Sequence, residues 1–384
     1  AQVFLVSRRP RSNMATLIQV RRSLHLCRNY LAFIPIARRN ATYAEIGKSG
    51  TTWYTASHIS RHLRQKTVSL IGSQMGIGQS YGTGVNKAPD ALRAGGVKAV
   101  AEELGWVIHD VGNLDLKGAM DRFSGESSMR HVNNCEKIGM ANRLVHEAVK
   151  EEARKGNFVL NIGGDHSLGS ATISGMKAVH EDLAVIWVDA HADCNTAATS
   201  PSGNYHGMSA AHVLNWIQPS LPGWEWLRPE VMMKESRFAF IGLRDIDRHE
   251  RMLLRESGVA VFTMHEIDKY GIGQVVEMAL HRINPHSNRP IHVEFDIDSC
   301  DPSIALGTGT CSRGGLNFRE AHYICEKLSM TSNLISLSMV EVNPELDLPV
   351  PGRMHGDCDF ITADLQTVRL AIELIGSALG RTIL

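Results

Sequence analysis

Eight short, mostly apolar runs recur between residues 67 and 342, and segments with helical periodicity fill most of the gaps between them. The runs are TVSLIG (67–72), WVIHDVG (106–112), FVLNIGG (158–164), AVIWVDA (184–190), FAFIGLR (238–244), VAVFTM (259–264), IHVEFDID (291–298) and LISLSMVEV (334–342). Such strands, alternating with helices, are typical of a parallel sheet covered on both faces. The pattern predicts an α/β domain. A count of eight strands fits both an open sheet and a barrel, so it does not distinguish the two.

Helices are predicted to begin at Pro89, to span about 131–154 and to span 363–380. The Gly-rich stretch MGIGQSYGTGV (75–85) follows the first run, where a dinucleotide-binding loop would lie. Its glycines do not match the Gly-x-Gly-x-x-Gly spacing of that loop. We therefore interpret this stretch as a flexible loop at the rim of a pocket.

The first 44 residues differ from the rest in charge, because they hold eight arginines, no lysine and no acidic residue. The remaining 340 residues carry 40 acidic against 32 basic side chains, a net charge of −8. An Arg-rich leader without acids is typical of a mitochondrial transit peptide. Residues 1–60 are thus predicted to be a leader, with 1–13 expected to precede an authentic start at Met14, and 65–384 to be a single domain. The predicted location is the mitochondrial matrix, or the cytoplasm if the leader is no transit peptide.

Composition argues against two classes of partner. The acidic body has no basic motif, so no binding of nucleic acid is expected. No apolar run approaches the roughly 20 residues that cross a bilayer, so no membrane span is expected either. The seven cysteines are scattered and form no Cys-x-x-Cys pair, which indicates a reducing compartment rather than a disulfide framework.

Titratable side chains gather where four of the runs end. They are Asp165, His166, Asp189, His191, Asp193, Asp296, Asp298, Asp301 and Glu341. In open parallel sheets ligands bind beyond the carboxyl ends of the strands, and alternate spacing sends side chains to one side of a strand. Because these motifs contain no Lys or Arg, their carboxylates would repel one another without added cations. Metal ions are the natural source of that charge.

The composition of the cluster favours one kind of metal chemistry. Oxygen ligands with two imidazoles and no thiolate favour Mn²⁺ over zinc. Four Asp and two His are too many for one ion but suit two ions that share carboxylates. Two ions about 3.5–4 Å apart lower the pKa of a shared water and orient it as hydroxide. The cluster therefore predicts a hydrolase that acts on an electrophilic carbon or phosphorus.

The motifs GGDHSLG, DAHADCNT, SGNYHG, FDIDSCDP with GTGT, and MVEVNP together resemble the ureohydrolase family, and within it the arginases. The resemblance covers about residues 68 to 381. It implies a single catalytic domain with three α/β/α layers around an eight-stranded parallel sheet, which removes the barrel. It also implies two Mn²⁺ per subunit, and hydrolysis of L-arginine to L-ornithine and urea by a metal-bridging hydroxide.

The resemblance assigns roles residue by residue. It implies one Mn²⁺ held by His166, Asp189, Asp193 and Asp296, and the other held by Asp189, His191, Asp296 and Asp298. Asp193 also counts among the catalytic residues. His206 matches the histidine that shuttles protons or protonates the leaving amine, for which a pKa near ambient pH is suited. Glu341 matches the carboxylate that faces the guanidinium, with Thr310 close to it.

Substrate choice is expected to depend on the loop between the metal ligands and His206. Arginase residues that match Asn195, Ser200 and Ser202 hold the α-carboxylate of arginine, partly through water. Asp247 and Glu250 are candidates to bind the α-amino group of arginine. Agmatinases have Tyr in place of Asn195, and a site built to pair a charged group rejects analogues that lack it. L-Arginine is thus the predicted substrate, with agmatine or another guanidino acid as the alternative.

Two other readings of the site are disfavoured. The related deacetylase fold keeps one Asp, His and Asp around a single zinc, whereas His166 and Asp298 here supply a second metal. A binding protein derived from an enzyme would not be expected to keep all six ligands together with His206 and Glu341.

The sequence also departs from the arginase pattern. Leu306 and Cys311 stand where Pro is usual, Ser299 and Cys300 replace Gly-Leu, and Glu294 replaces a common Ser. Glu294 is expected to point away from the site by alternation. Arg319 and Glu320 match residues of the arginase trimer interface, which predicts a homotrimer.

Overall fold

The computed structural model describes residues 59–80, 84–125, 131–218, 220–349 and 365–382. Apart from residues 59 and 60, the predicted leader lies outside this part of the chain. Eight strands lie within it, close to the predicted runs. They are Thr67–Ser73 (β1), Val107–Asn113 (β2), Phe158–Gly163 (β3), Ala184–Val188 (β4), Phe238–Leu243 (β5), Ala260–Thr263 (β6), Ile291–Asp296 (β7) and Leu334–Val340 (β8).

The eight strands form one parallel sheet in the order β2-β1-β3-β8-β7-β4-β5-β6. The sheet is open, with β2 and β6 at its edges, so the barrel is excluded and the predicted fold class is confirmed. All residues of β3, β4, β5, β7 and β8 are buried, whereas the edge strand β2 is partly exposed. Burial on both faces explains why β4 and β5 are apolar throughout, whereas β7 also carries the buried polar residues His292, Glu294 and Asp296.

Eleven α-helices connect these strands within the described residues. They are Ala88–Ala94 (α1), Val97–Glu103 (α2), Leu116–Asp121 (α3), Cys135–Arg154 (α4), Gly169–Lys177 (α5), Ser209–Val213 (α6), Arg248–Glu256 (α7), Met264–Tyr270 (α8), Ile272–Ile283 (α9), Phe318–Met330 (α10) and Gln366–Ala378 (α11). Pro89 lies in the first turn of α1, as predicted, where its missing N–H costs nothing. None of these helices is long and apolar enough to span a membrane.

Two hydrophobic cores lie on opposite faces of the sheet, and β4 contributes to both. Ala184, Ile186 and Val188 pack in a core with apolar residues of α1, α9, α10 and α11. Val185 and Trp187 pack in a second core with residues of α4 and α5. Each fully buried large side chain contributes about 1.5–3 kcal/mol by leaving water. The result is three layers, helices–sheet–helices.

The sheet order brings four strand ends together at the centre of one edge. β3, β8, β7 and β4 are consecutive neighbours, and each is followed by one of the acidic or histidine motifs. Residues far apart in the chain, from His166 to Glu341, therefore meet above the middle of the sheet.

Candidate metal centre

His166 is the centre of the first group of ligands. It opens the turn His166–Leu168 after β3, and its ring stacks on Trp187 with 4.1 Å between centroids and 13° between planes. Its Nδ1 lies 3.1 Å from Asp189 Oδ2, 3.2 Å from Asp193 Oδ2 and 3.0 Å from Asp296 Oδ2. Three carboxylates thus converge on one ring nitrogen, all of them buried.

A second group forms around His191. Its Nδ1 lies 3.5 Å from Asp189 Oδ1 and 3.1 Å from Asp298 Oδ2. Ligand atoms of Asp189, His191 and Asp298 fall within 4.8 Å of one another, as do those of His166, Asp189 and Asp296. Asp189 belongs to both groups, so it is positioned to bridge two ions. The structure therefore brings all six sequence-predicted ligands together.

Backbone and side-chain donors hold these carboxylates in place. The Asp189 oxygens accept from the His191 N–H at 2.7 Å and from Trp187 Nε1 at 2.8 Å. Asp296 Oδ1 accepts from the Asp298 N–H at 2.8 Å, and Thr310 Oγ1 donates to Asp298 Oδ2 at 2.8 Å. Because each carboxylate is oriented before any ion arrives, binding an ion requires little reordering.

The local backbone, rather than strand alternation, aims Asp193. β4 ends at Val188, so Asp189, His191 and Asp193 do not continue an extended strand. Asp193 has φ 50°, and Glu341 at the end of β8 has φ 60°. This left-handed conformation costs a residue with a side chain about 1–3 kcal/mol and persists mainly at functional sites. The turn at Asp193 brings its side chain back to the same point as Asp189.

Electrostatics show that the cluster fits a cation. Burial raises the pKa of Asp193 to about 6 and raises that of Asp296, with Asp189 adding to both. Burial also acts to raise the pKa of Asp189, but the nearby rings of His166 and His191 outweigh it and lower the pKa. His166 Nδ1 has no well-directed hydrogen-bond partner despite its three carboxylate neighbours. Oxygen donors around an unpaired imidazole nitrogen fit a divalent metal ion.

His206 lies beside this cluster in the turn Tyr205–Met208. Its Nδ1 lies 3.1 Å from Glu341 Oε1, an oxygen that also accepts from the His166 N–H at 2.8 Å. Burial acts to lower the pKa of His206, but the hydrogen bond and charge of Glu341 outweigh it and raise the pKa to about 9. The contact with Glu341 therefore favours the charged form of the His206 ring next to the ligand cluster.

Gly78, in the Gly-rich stretch, supports both His206 and the ligand loop. Its carbonyl accepts from the His206 N–H at 3.0 Å, and its own N–H donates to Asp165 Oδ2 at 2.8 Å. A Cβ at this position would lie 2.6 Å from Asp165 Oδ1, which explains the glycine. This part of the stretch therefore contacts the centre directly instead of serving only as a flexible rim; residues 81–83 are not described.

A cavity of about 260 Å³ opens above the cluster. It is lined by His191, Asp193, Asn195, Ser200, Pro201, Ser202, His206, Gly207, Asp245, Asp247, Glu250, Asp296, Asp298 and Thr310. All six predicted substrate contacts are in this set, together with Asp245, which sequence reasoning missed. Glu341 is buried and does not line the cavity, so it reaches the cavity through His206.

Asn195, Asp247 and Glu250 form one side of the cavity. Asn195 Nδ2 donates to Asp247 Oδ2 at 2.9 Å. Glu250 accepts from the N–H groups of Cys194 and Asp247, both at 2.9 Å, and so closes the capping box of α7. Since both Glu250 oxygens already accept backbone hydrogen bonds, Glu250 chiefly positions Asp247 and the ligand loop.

Residues 66–380 match the sequence model of the Arginase family, which spans most of the chain. The chain belongs to the arginase family. An arginase of Plasmodium berghei is 39% identical over 334 residues, which cover 83% of this chain and 94% of that protein. An arginase of Schizosaccharomyces pombe is 39% identical over 325 residues, which cover 85% of this chain and 95% of that protein.

Solved structures agree with this assignment to the arginase family. The structure of arginase from Bacillus caldovelox matches with a TM-score of 0.72 and 34% identity, covering 83% of this chain and all of that one. The match confirms the resemblance drawn from the motifs and the three-layer fold that it implied.

Within this arginase-family fold, the prediction for Glu294 was wrong. Glu294 and Asp296 are two residues apart on β7, so they share a face of the sheet. Glu294 lies behind His166, with 3.9 Å between its Oε2 and His166 Nε2. Its spacing from Asp296 was the signal that could have revealed this.

Arg244 is a second residue that sequence reasoning missed. Its guanidinium donates to the carbonyls of Asp298, Ser299, Cys300 and Ser312 and thereby fastens the loop after β7. The sequence offers no signal for a residue that binds backbone alone. Of the departures from the arginase pattern, Leu306 and Cys311 are exposed, so neither occupies the ligand cluster.

Proposed function

We propose that this chain hydrolyses L-arginine to L-ornithine and urea. The observation that carries the proposal is the charge of the cavity outside the metal ligands: Asp245, Asp247 and Glu250 line it, and no Lys or Arg is among its described lining residues. Such a cavity suits an amino acid with two positively charged groups, with the guanidinium toward the metal ligands and the α-amino group toward Asp247. The α-carboxylate then needs neutral donors at the same end of the cavity as Asp247, away from the metal ligands.

The donors for the α-carboxylate are hydroxyl groups. Ser200 Oγ accepts from the Gly203 N–H at 3.0 Å, and Ser202 Oγ accepts from the Asn204 N–H at 3.2 Å. A hydroxyl that accepts from the backbone keeps its own proton for donation. Both serines can therefore donate to the α-carboxylate. Agmatine lacks that group and would leave them unpaired, which a selective site exploits.

We propose two Mn²⁺ ions as the cofactor, held by His166, Asp189, Asp193 and Asp296 and by Asp189, His191, Asp296 and Asp298. When bound, these ions supply Lewis acidity and an activated water. The chain's contribution is the prior orientation of the carboxylates by Trp187, Thr310 and backbone N–H groups. Manganese is proposed over zinc because no thiolate is in either group.

His206 is proposed to protonate the leaving amine. When His206 is charged, Nδ1–H donates to Glu341, which leaves Nε2–H as the proton that can be passed on. Glu341 keeps that proton available by stabilising the charged ring. Protonation is required because an unprotonated amine anion is a poor leaving group, and such general acids contribute about 10²–10⁴-fold to rate.

The test compares urea release from L-arginine and from agmatine, at equal concentration near pH 9, by the full chain loaded with Mn²⁺. Strong preference for L-arginine supports the proposal. Preference for agmatine would keep the metal chemistry and overturn the assignment of Asn195, Ser200 and Ser202. Release of urea from neither would contradict the arginine proposal and leave another guanidino acid as the candidate.

Assembly and location remain proposals of the same kind. We propose a homotrimer, because α10 presents Arg319 next to the exposed aromatic residues Phe318 and Tyr323. Sedimentation of wild type and of Arg319→Glu tests this, with a monomeric wild type as the contrary result.

We also propose import into the mitochondrial matrix, directed by residues 1–60. A fusion of these residues to a fluorescent protein, with the eight arginines changed to glutamine as control, tests that import.

A further inference from the structure

Behind the ligand cluster lies a buried carboxylate that the proposed reaction does not use. Glu294 on β7 is fully buried, as are its neighbours Thr172 on α5 and His292 on β7. Glu294 Oε1 accepts from Thr172 Oγ1 and lies 2.8 Å from His292 Nε2. His292 Nδ1 in turn lies 2.7 Å from Ser336 Oγ on β8. One oxygen of Glu294 is thus fixed from two sides.

The other oxygen faces the back of His166. Glu294 Oε2 lies 3.9 Å from His166 Nε2, and neither atom has a hydrogen-bond partner. Because His166 Nδ1 is surrounded by three ligand carboxylates, Nδ1 is the atom that would hold an ion. A neutral ring that binds through Nδ1 must carry its proton on Nε2. That buried N–H would stay unsatisfied unless Glu294 accepts it, and an unsatisfied buried donor is unfavourable.

We propose that Glu294 is a positioning residue for the first metal ion, acting through His166. Its Oε2 accepts the Nε2–H of His166, which fixes the ring tautomer and strengthens the Nδ1 donor, as carboxylate partners of ligand histidines do. The pair must close by about 1 Å to reach a charge-assisted hydrogen bond, and this closure when an ion binds is part of the proposal. Stacking on Trp187 keeps the His166 ring in the plane that this bond requires.

This inference rests on the proposed two-ion centre and makes a specific claim within it. The two ions should depend differently on Glu294, since His166 is in one ligand group and His191 in the other. Removing the Glu294 charge should therefore weaken one of the two binding events. A residue that merely fills space would instead affect folding and leave both affinities alone.

The test is a titration of the metal-free, full-length wild-type and Glu294→Gln proteins with Mn²⁺. The concentration of free Mn²⁺ is followed by its electron paramagnetic resonance signal. Glutamine keeps the size of the side chain and removes its charge. We expect the affinity of one ion to fall by about tenfold to a hundredfold, the range for lost partners of metal ligands. The affinity of the other ion should stay within about twofold of wild type.

Glu152→Gln is the matched control. Glu152 is also a buried carboxylate, but it accepts from Ser69 on β1 and from Lys155, away from the ligand cluster. Its substitution should leave both Mn²⁺ affinities unchanged. If Glu294→Gln does not fold, the Thr172→Val variant is tested instead, because it removes one donor that fixes the Glu294 carboxylate. It should lower the affinity for the same ion.

The outcomes separate this inference from the proposed function. If wild type binds no Mn²⁺, the proposed metal centre itself fails. If wild type binds two ions and the Glu294→Gln protein binds them with unchanged affinities, the inference about Glu294 is overturned while the centre stands. An equal fall in the affinities for both ions would also overturn the inference about Glu294, because the effect would then not act through His166.

Discussion

Single residues in this centre have two functions each, because the atoms that face the site are also held in place by hydrogen bonds from the protein. Asp189 is the clearest case: each of its oxygens lies near a ligand histidine while accepting from Trp187 or from the backbone of His191. Such prior orientation lowers the entropy lost when an ion or substrate binds. It also means that substitutions at supporting residues act on the site without touching the substrate.

Replacing His206 by Asn should lower kcat by about 10²–10⁴-fold with little change in KM, because the variant loses the general acid. The wild-type rate should also fall as pH rises above the pKa of His206, near 9, where the ring loses its proton. Steady-state kinetics of both proteins between pH 7 and pH 10.5 check this. A kcat that is unchanged in the variant would remove His206 from the reaction, provided that Mn²⁺ stoichiometry is equal in the two proteins.

Replacing Asn195 by Tyr should cost turnover of L-arginine far more than metal binding. The change removes the hydrogen bond from Asn195 to Asp247 and fills the cavity beside Ser202. We expect kcat/KM for L-arginine to fall at least about tenfold to a hundredfold, the effect of one lost hydrogen bond to a charged group. Kinetics with L-arginine and agmatine provide the measurement. An equal loss for both substrates would mean that Asn195 does not read the amino-acid end.

How far the residues of the site could be predicted depends on what each contacts. The six ligands share a chemical type and follow strand ends, so the sequence alone predicted their clustering. The convergence of Asp193 required a left-handed turn that no local pattern reveals. Glu294 was misassigned although its spacing from Asp296 was visible, because its partners Thr172 and His166 come from other elements. Arg244 binds only carbonyl groups, which the sequence does not distinguish.

At the scale of elements, the connections after the strands carry the site and the helices hold them. α7 is the best example: its capping box joins Asp247, at its N-terminus, to Glu250, which also accepts from the ligand loop through Cys194. A helix start thus fixes the distance between the metal ligands and the far end of the cavity. Strand and helix types were predictable from periodicity, whereas the insertion of β8 between β3 and β7 was not, since pairing partners distant in the chain leave no local signal.

The edge strand β2 is fastened by an ion pair that should give a distinct pH dependence. Partial burial acts to raise the pKa of Asp110, but hydrogen bonds from Arg93 on α1 and Lys98 on α2 outweigh it and lower the pKa to about 2. A lowered folded-state pKa adds stability above the unfolded-state value, near 4, that is lost as pH falls towards 2.

Asp110→Asn should therefore be less stable than wild type at pH 7, and the difference should shrink as pH falls below about 4. Urea unfolding of both proteins between pH 7 and pH 3 measures this. A difference that is constant across that range would show that the charge of Asp110 does not stabilise β2.

At the scale of the whole molecule, a single sheet holds a cluster of buried acids whose charge the proposed ions would offset. Chelation of the ions should therefore destabilise the chain, and Mn²⁺ should restore about 2.7 kcal/mol per ion at a hundredfold excess over its Kd. Thermal unfolding with chelator, with Mn²⁺ and with K⁺ as control checks this.

The His191→Ala protein should regain only part of the stabilisation, because it keeps the ligand group around His166. Full recovery in that variant would contradict the assignment of His191 to the second ion.

The strand order also determines when the protein can finish folding during synthesis. Once the ribosome has made residue 270, β1–β3 and β4–β6 exist, but β7 and β8, the two strands that join these halves, do not. Until then the nascent chain holds two three-stranded pieces, each with an unpaired edge where a future central strand belongs, and such edges favour aggregation. His166 lies on one piece and Asp189 on the other, so the metal centre is completed only after the last strand emerges. Assembly of the sheet and completion of the proposed metal centre are thereby late, coupled events in the synthesis of the chain.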